Sequence, residues 1–393
     1  MSEIKRSAAG VKETSYYGTL ETLFKEIGKS LKPKVRCVIN LANKGAGIPD
    51  GGLFTPDQFQ KRSDDLIAGQ LPARGAIEIK GTSEDVDLIK DSIQVAKYLG
   101  KYRQVLVTNY RDFLLVTLDE NKTPKALERY SIAEGEKAFW QKADHPASTT
   151  ETENERLVDF LKRVMLHAAP VGKPEDVAWF LASYARDAKA RIEEAELSSL
   201  ATIRKALEES LGIKFEGEKG EHFFRSTLVQ TLFYGIFSAW VLWHKRGAGV
   251  RTGNGGDRIH FDWRKAVWEL RVPMIAVLFE QIATPSILKH LNIVEVLDWT
   301  ENVLNRVVRE EFFARFAEEH AVQYFYEPFL QAFDPELRKE LGVWYTPEEI
   351  VRYMVERVDR VLREELNLPD GLADESVYVT IRPAVPEHIW SRF

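Results

Sequence analysis

Two acidic residues and a lysine stand at a spacing that could support phosphodiester chemistry. Asp50 follows Pro49 directly, and Glu78 and Lys80 lie further along the chain in the segment 76–81. Two carboxylates offer the oxygen ligands that Mg²⁺ prefers in proteins. The lysine can hold an attacking water or stabilise the charge that builds on a phosphate. The pattern therefore predicts metal-assisted cleavage of a phosphodiester, with Asp50 and Glu78 as metal ligands.

The segment 76–81 is predicted to be a buried strand that positions the second acid and the lysine. Its residues alternate with a period of two, so Glu78 and Lys80 share one face while Ile77 and Ile79 lie on the other. Two ionisable groups side by side on an otherwise apolar strand need a partner, because burying an unpaired charge is unfavourable. A metal ion is such a partner, and this favours the metal site.

The spacing taken alone also fits a structural role. Pro-Asp pairs recur at 56–57 and 369–370, so the first half of the pattern is common in this chain. In this alternative, Asp50 is a turn residue, and Glu78 and Lys80 form a surface ion pair on an edge strand. The neighbouring elements decide between the two interpretations.

The elements around these residues predict a compact α/β unit in the N-terminal part of the chain. A turn at 45–47 leads to Asp50, and the polar segment 55–75 is predicted to be a loop or insertion. The remaining elements are predicted as helices at 17–31 and 85–100 and as strands at 35–41, 104–109 and 113–118.

Length and composition limit the class of protein. A chain of 393 residues is long enough for two or three domains, and its net charge of -6 argues against a surface that binds nucleic acid throughout. The single cysteine, Cys37, excludes an intramolecular disulfide. The sequence shows no uninterrupted apolar run of membrane-spanning length, and its first residues do not resemble a signal peptide. We therefore expect a cytoplasmic protein without a membrane partner.

After a polar linker predicted at 145–155, the pattern changes to helices, which are expected to cover nearly all of 157–366. The segments with apolar residues at helical spacing are 156–167, 174–210, 221–246, 262–281, 285–291, 299–318, 321–332, 335–341 and 347–366. The sequence 376–380 then predicts the first strand of a new domain, and one strand cannot form a sheet.

The N-terminal unit resembles the PD-(D/E)-x-K nuclease superfamily. Asp50, Glu78 and Lys80 match its three motif positions. Gln94 and Tyr98 match the Gln-x-x-x-Tyr box of the RecB-like branch, and their spacing places both on one face of a helix. The resemblance implies that this pair orients the metal shell or contacts the DNA backbone.

One further acid extends this resemblance. Glu21, on the first predicted helix, matches the additional helix acid of many such nucleases, although less specifically. The resemblance covers residues 16–120 and implies a restriction-endonuclease-like fold, in which helices flank a mixed sheet. It also implies catalytic roles for all the residues that match, with Mg²⁺ as cofactor and double-stranded DNA as substrate.

The C-terminal part is similar to another family. The segments 324–330 and 341–351, the latter including Tyr345-Thr346-Pro347, look like the lead-in to the N6-adenine DNA methyltransferase domain of single-chain restriction-modification enzymes of type IIG and type ISP. In that family a glycine loop follows the first strand and an Asn-Pro-Pro-Tyr motif comes later, and this chain has neither. We therefore expect neither methyltransferase activity nor binding of S-adenosylmethionine.

These patterns predict a nuclease domain at 1–148, a helical connector at 149–340 and, at 341–393, the truncated start of a methyltransferase domain with an atypical tail. The expected function is the Mg²⁺-dependent DNA endonuclease part of a restriction-modification or phage-defence enzyme. One alternative is a non-catalytic remnant or subunit whose helices bind DNA or partner proteins. Another is a nuclease for which a separate polypeptide supplies methylation and target recognition.

Overall fold

The structure is a computed structural model that describes residues 1, 14–41, 47–63, 65–194, 200–211, 214–245, 260–266, 285–316, 325–335, 338 and 348–374. The chain forms two compact units, Met1–Val171 and Gly172–Phe393. Every residue that the sequence analysis selected for chemistry lies in the first unit.

The first unit is built on one six-stranded sheet. Its strands are β1 (Arg36–Ile39), β2 (Gly51–Phe54), β3 (Ala76–Ile79), β4 (Gln104–Thr108), β5 (Asp112–Leu118) and β6 (Pro124–Ser131). They follow chain order across the sheet, and every neighbouring pair is antiparallel except β3 and β4, which are parallel. This mixed sheet confirms the α/β class predicted for the N-terminal part, and it adds β2 and β6, which the sequence analysis did not predict.

Helices accompany this sheet, and they are α1 (Tyr17–Ser30), α2 (Val86–Lys90), α3 (Ile93–Tyr102), α4 (Glu136–Asp144) and α5 (Pro146–Leu166). A parallel strand pair needs a crossover connection, and α2 and α3 supply it between β3 and β4. Val95, Tyr98 and Leu99 of α3 are buried in the same apolar cluster as Val105 and Val107 of β4. The same cluster contains Ala76 of β3, so helix α3 is fixed beside the strand that carries Glu78.

The segment 145–155, predicted to be a polar linker, lies almost entirely in helix α5. Most side chains of the first turns of α5 are exposed, so they lack the apolar periodicity that marks a buried helix. The predicted domain boundary after residue 148 falls inside this helix, whereas the compact unit ends at Val171. The division of the chain into three domains stays a prediction.

The second half of α5 belongs to the core of the first unit. Phe160 packs against Phe113 and Tyr130, with ring centroids 6.4 and 5.9 Å apart. Arg163 forms an ion pair with Glu128 of β6 at 2.8 Å, and both side chains are buried. These contacts join the helix to the sheet, so α5 is a structural part of the first unit.

The second unit is helical throughout its described residues, apart from short connections. Its helices are α6 (Pro174–Glu194), α7 (Ala201–Leu211), α8 (Gly217–Lys245), α9 (Trp263–Ala266), α10 (Pro285–His290), α11 (Val294–Arg306), α12 (Arg309–Arg315), α13 (Glu327–Phe333) and α14 (Glu348–Glu364). This confirms the predicted change to helices, although 299–318 contains parts of two helices rather than one. Among the described residues, α8 alone is long and apolar enough to cross a membrane, and 67% of its apolar window is buried within the structure.

Some predicted features lie outside the described residues. They are the strand at 376–380, the Tyr345-Thr346-Pro347 segment, residues 45–46 of the first turn, and most of the helices predicted at 262–281 and 335–341.

Candidate active site

The pairing of β2 with β3 brings the first acid to the second. The antiparallel ladder pairs Gly51 with Ile77, and the same register continued by one residue places Asp50 opposite Glu78. Directly opposite residues of an antiparallel pair project from the same face of the sheet. The two predicted carboxylates are therefore neighbours because β2, a strand absent from the sequence prediction, begins immediately after Asp50.

The lysine completes this cluster. Lys80 Nζ donates a hydrogen bond to Glu78 Oε1 at 2.6 Å and lies 4.0 Å from Asp50 Oδ2. The Glu78 side chain is 1% exposed, whereas those of Lys80 and Asp50 are 28% and 20% exposed. The cluster thus has a buried base and an edge that solvent reaches, as a site for a large substrate requires. With both carboxylates ionised, it carries one net negative charge.

Asp50 is held at both carboxylate oxygens. Tyr17 of α1 donates its hydroxyl hydrogen to Oδ1 at 2.8 Å, and the backbone N–H of Ile79 donates to Oδ2 at 2.8 Å. The two donors come from different elements, a helix and the neighbouring strand. They fix the carboxylate without using all of its lone pairs, because each carboxylate oxygen can accept two hydrogen bonds.

Tyr17 is the residue of this site that the sequence analysis missed. It is buried with Leu20, Phe24 and Ile27 on the apolar face of α1, so its position in the helical pattern indicates core packing alone. Its one available signal was its spacing, since it lies one turn before Glu21 on the same face of the helix.

Glu21 makes its described contacts away from the cluster of Asp50, Glu78 and Lys80. It forms an ion pair with Lys25 at 2.7 Å, and within the described residues it makes no ion pair or hydrogen bond with Asp50, Glu78 or Lys80. Its charge acts on Cys37 of β1, whose thiol pKa is raised to about 12 by burial first and by Glu21 second. A catalytic role for Glu21 stays a prediction.

Gln94 and Tyr98 are joined to the segment that precedes Asp50. Gln94 Nε2 donates to the Tyr98 hydroxyl oxygen at 2.8 Å, and that hydroxyl donates to the backbone carbonyl of Ile48 at 2.7 Å. Tyr98 is fully buried, so its ring cannot reach DNA, and the geometry favours the orienting role over the DNA-contacting one. Gln94 is exposed and remains accessible.

The electrostatics of Tyr98 place it beside the same cluster. Burial raises the pKa of the Tyr98 hydroxyl, the hydrogen bond with Gln94 lowers it, and the charges of Glu78 and Asp50 raise it. Because the net direction is upward, the hydroxyl stays protonated at neutral pH and remains a donor to the Ile48 carbonyl. Gly47, at a φ of +107°, packs so closely here that a Cβ would lie 3.3 Å from Tyr98 Cε1.

Asp50 and Glu78 fit a Mg²⁺ site. The described residues contain no group of three or more His, Cys, Asp or Glu side chains that could hold a metal ion. Mg²⁺, however, is usually bound by one or two carboxylates and retains several waters. The two carboxylates exceed the single ammonium of Lys80 beside them, so with both ionised the remaining negative charge favours a cation.

Comparison of the chain with protein-family models, with curated proteins and with solved structures found no match. The functional interpretation therefore depends on the geometry of this site and on the order of its motifs along the chain.

Proposed function

We propose that the first unit is a Mg²⁺-dependent DNA endonuclease with a restriction-endonuclease-like fold. The observation that carries this proposal is the convergence of Asp50, Glu78 and Lys80 on one face of a mixed sheet. These residues are distant in sequence, and the antiparallel register of β2 and β3 brings the two acids together. A turn aspartate with a surface ion pair, the structural alternative, is less compatible with a Glu78 side chain that is 1% exposed.

Each residue has a role that follows from its contacts. Asp50 and Glu78 would hold the metal, which when bound polarises the scissile phosphate and lowers the pKa of a coordinated water. Lys80 lies at the solvent-accessible edge, where its ammonium can orient the attacking water and stabilise the negative charge that develops on the phosphate oxygens. Tyr17 fixes one oxygen of Asp50, and Tyr98 fixes the backbone of the segment before it.

We further propose that this nuclease belongs to a cytoplasmic restriction-modification or phage-defence system. The support is the resemblance of 341–351 to the lead-in of N6-adenine methyltransferase domains, together with a helical second unit in the position of the connector. The 393 residues contain neither the glycine loop nor the Asn-Pro-Pro-Tyr motif, so we assign no methylation to them.

A second candidate function is a non-catalytic subunit that binds partners through its helices. Helix α14 favours it, because several large apolar side chains of this helix are exposed to solvent. They are Ile350, Val351, Tyr353, Met354, Val355 and Val358. Exposed apolar residues grouped on one element are typical of protein-protein contacts.

A cleavage assay with purified full-length variants separates the two functions. We expect the wild-type chain to cut DNA with Mg²⁺ and not with EDTA, and Asp50→Ala or Lys80→Ala to reduce the rate at least a hundredfold. The matched control is Asp57→Ala, which alters an exposed aspartate that also follows a proline and should leave the rate unchanged. Undiminished cutting by both site variants, each with a native circular dichroism spectrum, would exclude the proposed site.

A further inference from the structure

One face of helix α3 is exposed beside the candidate site. In an α-helix successive residues are rotated by about 100°, so positions three, four and seven apart share a face. The buried residues of α3 are Val95, Tyr98, Leu99 and Tyr102, and the exposed or partly exposed residues occupy the remaining arc. Across this arc they follow the order Ala96, Gly100, Ile93, Lys97, Lys101 and Gln94.

This face is basic in an acidic chain. From Ile93 to Arg103 the sequence contains Lys97, Lys101 and Arg103 and no acidic residue, although the whole chain has a net charge of -6. Within the described residues neither Lys97 nor Lys101 has a carboxylate within ion-pair distance. A surface with an excess of one sign of charge attracts partners of the opposite sign, so this pair of lysines favours an anionic partner.

The basic face is linked to the segment before Asp50 through two hydrogen bonds. Gln94 lies at the edge of the arc and bonds to Tyr98, which in turn holds the Ile48 carbonyl just before Asp50. Lys97 and Lys101 lie three and seven residues after Gln94 and therefore on the same side of the helix. Helix α3 itself is anchored, since the Ser92 hydroxyl accepts from the Val95 N–H at its start. The face and the candidate site are therefore linked through Gln94, Tyr98 and the segment before Asp50.

We propose that this face of α3 contacts the phosphate backbone of double-stranded DNA through Lys97 and Lys101, with Gln94 nearest the cut. The inference rests on the proposed nuclease function and adds the path of the substrate. The two lysines lie about 6 Å apart along the helix axis, which lets both reach phosphates of one strand. Ala96 and Gly100 are small residues and leave room for a backbone beside the two lysines. An added Cβ at Gly100 would meet open space.

The same face disfavours a single strand as the substrate. Proteins that bind single-stranded nucleic acid combine basic residues with exposed aromatic side chains on which the bases stack. The aromatic residues of α3, Tyr98 and Tyr102, are both buried. The face therefore offers charge without a stacking surface, which favours the phosphate backbone of a duplex over a single strand.

The test measures duplex binding separately from cutting. Full-length protein carrying Asp50→Ala serves as the cleavage-deficient background, and Lys97→Gln with Lys101→Gln is added to it. Binding of a fluorescent duplex is followed by anisotropy over a range of salt concentrations. We expect at least tenfold weaker binding at low salt, and a slope of log affinity against log salt that is smaller by about two, since about one counterion is released for each phosphate contact.

A matched control uses Lys122→Gln with Lys125→Gln, two exposed lysines at the hairpin between β5 and β6. This double substitution removes the same charge. It should leave the affinity for the duplex, and the slope of log affinity against log salt, nearly unchanged. Equal effects from the two pairs would overturn the proposal, because the loss would then reflect net charge alone. An equal or larger loss for a single-stranded probe would overturn the assignment to duplex DNA.

The outcome does not depend on the cleavage assay. Suppose that Lys97→Gln with Lys101→Gln weakens duplex binding, the control pair does not, and Asp50→Ala still cuts. The proposed DNA-binding face is then correct and the proposed catalytic residues are wrong. If cleavage requires Asp50 and Lys80 while the protein with Lys97→Gln and Lys101→Gln binds the duplex normally, the catalytic proposal stands. The path proposed for the DNA is then excluded.

Discussion

Asp50, one of the two proposed metal ligands, is already held in place by neighbouring donors. Its two oxygens accept hydrogen bonds from the Tyr17 hydroxyl and from the Ile79 N–H, each at 2.8 Å. Partners of this kind orient a ligating carboxylate, and their removal typically weakens metal binding by 10- to 100-fold. The donor from Ile79 is a backbone N–H, which every substitution except proline leaves in place, so Tyr17 is the side chain through which the arrangement can be tested.

We expect Tyr17→Phe to weaken Mg²⁺ binding about tenfold, because it removes one donor from Asp50 while keeping the ring in the core. Stability should fall by about 1.5 kcal/mol, the usual contribution of a hydrogen bond to a charged group. Calorimetric titration with Mg²⁺ measures the affinity without any need for cleavage. Tyr16→Phe is the control, since the Tyr16 ring packs against Tyr110 and Trp140 and no hydrogen bond of its hydroxyl is described. Unchanged affinity in Tyr17→Phe would contradict the positioning role.

The residues that converge at this site differ in how far they could be predicted. Glu78 and Lys80 lie two apart on a strand, so their shared face follows from period-two alternation alone. Asp50 could be selected by its motif, but its distance from Glu78 depends on a strand pairing that no local pattern specifies. Tyr17 could not be selected, because a tyrosine at helical apolar spacing is indistinguishable from a core residue until its hydroxyl partner is known.

At the scale of elements, helix α1 and strand β1 form a packed layer at one edge of the sheet. Cys37 and Ile39 of β1 are buried, and α1 packs against that strand. Burial of Cys37 has an electrostatic consequence, since a thiolate is disfavoured in an apolar environment. Desolvation is the main cause that raises the pKa of its thiol from 9.0 to about 12, with Glu21 raising and Lys25 lowering it.

This shift predicts a pH-dependent contribution to stability. Between pH 9 and about 12 the folded thiol keeps its proton while the unfolded thiol loses it, so unfolding becomes easier as pH rises. The contribution is complete below pH 9, and above it the free energy of unfolding should fall by about 1.4 kcal/mol per pH unit relative to Cys37→Ala. Urea denaturation of both proteins at pH 8, 9, 10 and 10.5 measures this difference. A difference that stays constant across the series would show that Cys37 is accessible to water.

Elements could be predicted where one pattern extended over their whole length. The strands at 76–79, 104–108 and 112–118 and the helix at 17–30 agree with the sequence prediction to within a few residues. Strand β2 escaped it because Gly51 and Gly52 have no β preference. Both face crowded positions, since a Cβ at Gly51 would lie 2.7 Å from Ile39 Cδ1, so tertiary packing determines this strand.

At the scale of the whole molecule, the boundary of the first unit has a consequence for its stability. A boundary after residue 148 would divide α5, whereas the compact unit extends to Val171. Residues 149–171 contribute Phe160, Leu161, Val164 and Met165, each at most 1% exposed. Full burial of one such side chain contributes about 2 kcal/mol, so the four contribute about 8 kcal/mol. This approaches the entire stability of a typical domain.

We therefore expect fragment 1–171 to fold on its own and fragment 1–148 to fail. The shorter fragment lacks the apolar half of α5. It also lacks Arg163, so the buried Glu128 loses its ion-pair partner, which lowers the free energy of unfolding by about 3–5 kcal/mol. Urea denaturation followed by circular dichroism should show one cooperative transition for 1–171 and none for 1–148. Adding Arg163→Met and Glu128→Leu to 1–171 controls for the ion pair, since replacing both charges by apolar residues is often neutral. Cooperative unfolding of 1–148 with the midpoint of 1–171 would show that α5 contributes little to this core.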